Sequence, residues 1–387
     1  MKILKNIAVV SIAFVISMAA ANADNAAWDS VAEKMKESFG ALGTVGSSLY
    51  YIANGETKGS LHLGYADKET DRMVDENTIF HWGSITKTFT GIALMQLVEE
   101  GKVALSDPIV KYLPELRKVH NPYGSMEEVT LQMLLSHTSG FRNPSFPWSD
   151  DEDWQPFQPP QWMQIEAMLP YTKLLFKPGS EYSYSNPAFI FIARVVEEVT
   201  GEDIEIYIQK NIFSPLEMHR SYFDITPRHL LKYRSNNYWV EGGIAIEQGL
   251  DFDTGITKAN GALNSPMLDM IKYSNFLLGI GNADAYEGIL KRKTLESMWL
   301  PVIDAERNDT YTTQLGTSFF LLDFKDGGNH LIGHTGSQAA FLATFYIHLE
   351  SNSSVIIATN SRLRGEARSK SLISETSKHV FDVLFEQ

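Results

Sequence analysis

The stretch Phe80-His81-Trp82-Gly83-Ser84-Ile85-Thr86-Lys87-Thr88-Phe89-Thr90-Gly91-Ile92-Ala93-Leu94-Met95 organises this chain. Its core is Ser84-x-x-Lys87. A short apolar run precedes Ser84, and the spacing of Phe89, Ile92, Ala93 and Leu97 predicts a helix from about Ser84 to Glu100, stopped at Gly101. Ser84 then falls in the first turn, with Lys87 three residues on and facing the same way. A serine hydroxyl needs a base beside it to become a nucleophile. A lysine serves as that base when burial or a nearby cation lowers its pKa. The positive end of the helix would favour an oxyanion forming at Ser84. Alone, the pair also fits an ordinary helix start with a solvated lysine. No other lysine in the chain has a serine three residues before it.

Outward from this stretch, Trp28, Val31, Ala32, Met35 and Phe39 predict an amphipathic first helix. Ser48–Ile52 and Ser60–Tyr65 read as strands joined through Asn54-Gly55, a hairpin signal. Beyond Ser84, Asp107 and Pro108 are expected as cap and first position of a short helix. From Pro108 to Leu278 the pattern reads as mostly helical. Val129–Leu135, Pro187–Val199 (closed by Gly201) and Met267–Leu278 are its helices. Thr317–Asp323, Leu331–Gly333, Phe341–His348 and Ser354–Thr359 return to strand patterning, and Arg368–Phe385 predicts a closing amphipathic helix. Strands at both ends and helices between them imply an α+β fold. Its antiparallel sheet would come from both termini, flanked by the terminal helices, with an inserted helical lobe. The expected division is a sheet lobe from residues 24–83 and 300–387 and a helical lobe from 84–299. The aromatic, proline-rich segment from Phe141 to Gln164 reads either as a packed surface loop or as one wall of a substrate cleft.

The first residues read as a leader. Lys2 and Lys5 precede a short apolar run from Ile7 to Met18, and Ala21-Asn22-Ala23 fits a small-residue cleavage site. A signal peptide cut after Ala23 implies a periplasmic or secreted protein without stable membrane insertion. The 387-residue chain has a net charge of −14, which becomes −16 without Lys2 and Lys5. That balance argues against nucleic acid as a partner. There is no cysteine, so disulfides and thiolate metal sites are excluded.

A serine–lysine nucleophile needs a proton-passing third group and an oxyanion hole. Tyr184-Ser185-Asn186 lies between a Pro-Gly turn and a helix start, where phenol and carboxamide can share one cleft. Tyr273-Ser274-Asn275 repeats the tripeptide inside a predicted helix, where the two side chains diverge, and reads as structural. His334-Thr335-Gly336 follows a strand run, and a glycine there lets a ligand approach the backbone. His137-Thr138-Ser139-Gly140 looks structural, because Gly140 already explains it as a helix stop. Zinc-protease spacing, a G-x-S-x-G elbow, a phosphate loop and a dinucleotide fingerprint are all missing from the sequence, so no metal and no cofactor is expected.

The ordered set Ser84-x-x-Lys87, Tyr184-Ser185-Asn186 and His334-Thr335-Gly336 resembles the penicillin-recognising serine hydrolases, in particular the class C β-lactamase, DD-peptidase and family VIII esterase group. Leu134-Leu135-Ser136-His137-Thr138-Ser139-Gly140 is similar to a stretch of that group. So is Gly261-Ala262-Leu263-Asn264-Ser265-Pro266-Met267-Leu268-Asp269-Met270, where Asn264 departs from the usual residue. The resemblance implies a β-lactamase/transpeptidase-like fold and an acyl-enzyme on Ser84. It implies proton transfer by Lys87 and Tyr184, and contact of Asn186 with the substrate's acyl side-chain amide. It also implies an oxyanion hole from the N–H groups of Ser84 and Ser337, beside Gly336. His334 stands where most β-lactamases of the group carry lysine, which points toward DD-peptidases, D-aminopeptidases and esterases. The expected substrate is a small molecule or peptide: an ester, a D-amino-acid peptide or amide, or weakly a β-lactam. A penicillin-binding sensor or scaffold that is acylated without turnover is the alternative. A titrating His334 would make activity change between about pH 5 and 8.

Overall fold

A computed structural model describes residues 26–142, 161–251, 253–307, 310–325 and 330–385. The leader read over residues 1–23 and most of the segment from Phe141 to Gln164 lie outside the described residues.

Nine strands form one antiparallel sheet. Their order across it is Arg72–Met73, Glu56–Asp67, Gly46–Ala53, Ser353–Thr359, Phe341–His348, His330–Gln338, Phe320–Phe324, Tyr311–Leu315 and Ile303–Arg307. Gly46–Ala53 pairs with Ser353–Thr359 in the register Leu49 to Ile357, so strands from the N-terminal and C-terminal parts of the chain meet inside one sheet. Successive strand residues point to opposite faces. Leu49, Leu331, Tyr346 and Val355 turn outward to the helix over residues 26–42 and the helix Leu372–Phe385. Ile52, Ile332, Phe345 and Ile356 turn inward to the larger core.

That larger core surrounds the helix Thr86–Glu99. Every residue from Thr86 to Leu97 is buried, so this helix is packed on all sides. Its polar side chains reach neighbouring backbone: Thr90 Oγ1 donates to Ala259 O at 2.6 Å and Gln96 Nε2 to Ile289 O at 2.8 Å, while Gln96 Oε1 is left without a hydrogen-bond partner. The helices Asn186–Thr200 and Met267–Leu278 pack into the same core. Both end on left-handed glycines, Gly201 and Gly279.

Several boundaries differ from the sequence reading. The region read as mostly helical also holds short strands. Leu263–Pro266 pairs with Ile79–His81 and Tyr222–Phe223, and Tyr238–Glu241 pairs with Ile244–Glu247 and Ser361–Leu363. These strands have two to four residues, too short to show a period. Ile303–Arg307 and Tyr311–Leu315 went unread because charged and polar residues dominate this sheet edge. Pro108 is an extended cap before Ile109–Lys111, and the Asp107 carboxylate instead accepts from Ala104 N, Lys111 and Tyr112. The last helix starts at Leu372, after a 3-10 turn at Gly365–Ser369. No helix among the described residues is long and apolar enough to cross a membrane.

Candidate active site

The strand Ile79–His81 delivers the chain to Ser84. Trp82 N donates to Leu263 O and the Trp82 indole to Ser265 O, both at 2.8 Å. Gly83 then takes a left-handed φ of 51°, a conformation that favours glycine. Gly83–Ile85 forms a single 3-10 turn and the α-helix begins at Thr86. Ser84 therefore sits in the turn before the helix, not in its first α-turn as the spacing predicted. Between Thr78 and Leu97 every residue is buried except Ser84. The fold thus presents one hydroxyl from an otherwise sealed segment.

Lys87 still faces Ser84. Its Nζ lies 3.0 Å from Ser84 Oγ and donates to Asn260 O at 2.7 Å. The amine is fully buried, 5.0 Å from the Tyr184 ring centroid and 5.5 Å from that of Phe189. Desolvation holds its pKa well below the ordinary lysine value, because water's solvation of the ammonium is lost with no carboxylate to replace it. A neutral amine beside a serine hydroxyl is a proton acceptor.

Tyr184 comes from the loop ahead of the helix Asn186–Thr200. Ser185 caps that helix by accepting from Ala188 N, and Pro187 opens it. The Tyr184 phenol hydrogen-bonds Ser84, and burial pushes its pKa up. Phenol and amine thus converge on one hydroxyl, the phenol held protonated and the amine with its pKa held down. Asn186 starts the helix, and its carbonyl accepts from Asn260 Nδ2 at 3.5 Å.

The strand His330–Gln338 forms the opposite wall. Alternation buries His334 and Gly336 and exposes Thr335 and Ser337. A Cβ on Gly336 would sit 1.9 Å from Trp82 O and 3.5 Å from Ser84 N. One on Gly83 would sit 2.8 Å from Ser337 N. The two glycines let the peptides of Ser84 and Ser337 lie side by side. His334 packs against Phe320 and Tyr184, with centroids 4.5 and 6.4 Å away. Burial, with Lys87 nearby, pushes it down to about 3. This corrects the expected titration between pH 5 and 8: the imidazole is neutral throughout that range, because its desolvation has no acid to offset it. The Arg362 guanidinium donates to Ser337 Oγ at 3.0 Å at the edge of this wall.

All the residues singled out from the sequence, Ser84, Lys87, Tyr184, Asn186, His334, Gly336 and Ser337, fall in this one region. The reading missed Asn260, whose contribution is a backbone carbonyl and leaves no side-chain signature. It also missed how near His137 stands. That histidine ends its helix at a φ of 57°. Its Nδ1 accepts from Ser185 N at 3.0 Å, and its ring centroid lies 4.3 Å from that of Tyr184. It braces the tyrosine loop, a structural task at the site's edge. Tyr273 points elsewhere, stacked on Phe89 with centroids 4.0 Å apart.

The sequence profile of the Beta-lactamase family matches residues 30–374. "Protein flp" of Staphylococcus aureus is 24% identical over 317 residues, 81% of this chain. The match spans only 59% of that relative's length. Among solved structures, the octameric penicillin-binding protein homologue from Pyrococcus abyssi aligns with a TM-score of 0.74 and 26% identity. That alignment covers 86% of this chain and 73% of the homologue. A class C beta-lactamase mutant aligns with a TM-score of 0.74 over 94% of this chain and 98% of its own, at 18% identity. The large antiparallel sheet with terminal helices on one face is the α+β β-lactamase/transpeptidase fold.

Proposed function

The chain belongs to the β-lactamase family, and we propose that it is a serine hydrolase that cleaves ester or amide carbonyls through an acyl-enzyme on Ser84. The carrying observation is the approach of a buried, desolvated Lys87 amine to within 3.0 Å of the one partly exposed hydroxyl in its segment. Lys87 takes the Ser84 proton as Oγ attacks the carbonyl. The Ser84 and Ser337 N–H groups receive the developing oxyanion. The Tyr184 phenol passes the proton on to the leaving group. Its raised pKa keeps it protonated and able to donate. Water then releases the acyl group with the same residues in reverse, and Asn186 orients the acyl side chain.

The substrate reading follows the charge of the site. Burial holds the pKa values of Lys87 and His334 down, so the His334 position supplies no fixed cation, and the permanent charge at this wall is the Arg362 guanidinium on Ser337 Oγ. The missing charge at position 334 favours short-chain esters and D-amino-acid peptides or amides over β-lactams. We further propose that residues 1–23 act as a leader for export to the periplasm or medium, on the charged, apolar and small-residue pattern of that segment, which predicts an exported form beginning at Asp24. Steady-state turnover of an activated short-chain ester, a D-amino-acid amide and a penicillin by wild type and Ser84→Ala tests the reading. Turnover of the first two substrates, absent from the variant, is expected. Equal turnover by the variant would contradict it.

A further inference from the structure

One buried histidine has no part in this chemistry. His81 ends the strand Ile79–His81, faces Asn264 across the pairing, and is 2% exposed. Its Nδ1 lies 2.9 Å from Asn264 Oδ1. Asn264 Nδ2 donates to Asp224 O at 3.0 Å and to Ala262 O at 3.3 Å. Both amide protons meet carbonyls, which fixes Oδ1 toward the imidazole. An amide oxygen only accepts, so Nδ1 carries the ring proton. The Gln338 side chain and the Gly261 backbone lie beside the ring and act on its protonation. Burial and the nearby Arg234 push His81 down to about 3, so it is uncharged at any working pH.

These neighbours belong to separate parts of the site. His81 stands three residues before Ser84. Gln338 follows Ser337. Gly261 follows Asn260, whose carbonyl receives Lys87 Nζ. Gln338 reaches the same junction: a Cβ on Gly261 would sit 2.3 Å from Gln338 Oε1. Phe341 packs against the imidazole with centroids 5.8 Å apart, and Arg234 lies over Phe341 at 4.8 Å. Asn264 is the residue that departs from its group's usual one, and its amide is what the imidazole engages.

We propose that His81 is a positioning residue that, packed between Asn264 and Phe341, sets the spacing of the Ser84 and Ser337 N–H groups and the reach of Asn260 O to Lys87. The proposal rests on the Ser84 acyl-enzyme reading. Misplacing one oxyanion donor costs on the order of 10²-fold in kcat while leaving ground-state binding intact.

The experiment measures kcat, KM and melting temperature for His81→Leu, His81→Gln, Gln338→Met and the double variant His81→Leu/Gln338→Met on an activated short-chain ester. Wild type and Ser84→Ala run in parallel. His81→Leu is expected to lower kcat about 100-fold with KM within about threefold. His81→Gln, which keeps a donor, recovers about tenfold of that loss, and Gln338→Met alone loses about tenfold. The double variant loses less than the product of the two, because both act on one junction. Unchanged kcat in His81→Leu and Gln338→Met overturns the proposal while leaving the Ser84 reading intact. A fall in kcat, KM performance and melting temperature together overturns it in favour of fold maintenance. If His81→Leu does not fold, the kcat–KM split of Gln338→Met decides. A wild type that neither turns over the ester nor takes an acyl group on Ser84 overturns both readings.

Discussion

Tyr-Ser-Asn occurs twice, and the two copies meet the same helix region one turn apart. Tyr184 hydrogen-bonds Ser84, whereas Tyr273 OH donates to Thr88 Oγ1 at 2.8 Å. Burial pushes both phenols up. What separates them is the hydroxyl each one meets. Thr88 is fully buried and donates its own proton to Ile85 O at 2.8 Å. Its bonds are committed, and no amine stands beside it. Ser84 is partly exposed, with Lys87 Nζ 3.0 Å away. A tyrosine–hydroxyl pair is thus a core fastener in one place and a proton path in the other, and the difference lies in the desolvated base and the opening.

The largest expected contrast is between the two hydroxyls. Ser84→Ala is expected to lower ester turnover by about 10⁴-fold or more. Thr88→Ala is expected to keep turnover within about threefold and lose about 1–2 kcal/mol of stability in urea unfolding. Equal loss of activity from both would erase the distinction. Lys87→Met comes next, with a loss of kcat of about 10³-fold. The same variant is expected to melt at a higher temperature at pH 7. The folded lysine has a depressed pKa and gives up its proton at lower pH than the unfolded one, which is protonated below about 10.4. Folding in wild type therefore releases a proton, and this penalty disappears as pH rises through the unfolded value. The stability gain of Lys87→Met should shrink over that rise, which thermal melts from pH 7 to 10.5 would show.

The phenols give the third contrast. Tyr184→Phe is expected to lower kcat about 10²–10³-fold with little change in melting temperature. Tyr273→Phe is expected to leave kcat within about threefold and cost about 1 kcal/mol. The smallest effect concerns His334. The rate profile should rise with pH through the depressed pKa of Lys87, with no inflection between pH 5 and 8 from the imidazole at about 3. His334→Asn should preserve the profile's shape. An inflection near 6.5 that vanishes in His334→Asn would overturn the electrostatic account.

Much of this was legible in the sequence because the catalytic candidates are side chains in compact motifs. Ser84-x-x-Lys87 carries its own spacing, and Tyr184 was separable from Tyr273 because only the latter sits inside a periodic helix. The strands Phe341–His348 and Ser353–Thr359 were readable as apolar runs bounded by turns. The strands Ile303–Arg307 and Leu263–Pro266 were not, because their residues answer to tertiary pairing more than to local pattern. The depressed pKa of His334 was invisible, since its burial is set by Phe320 and Tyr184 from distant segments. Asn260 O and the Asn264 amide depend on the fold alone to bring them beside Lys87 and His81.

The central claim is that Ser84 becomes covalently acylated with Lys87 as its base. Time-resolved intact-mass spectrometry with an activated short-chain ester, on wild type, Ser84→Ala and Lys87→Met, reads that step directly. The account predicts an acyl adduct on wild type that peptide mapping places on Ser84, and that then decays. It predicts much slower adduct formation in Lys87→Met and none in Ser84→Ala. Turnover of the ester with no adduct at Ser84, or the same adduct in Ser84→Ala, would contradict it.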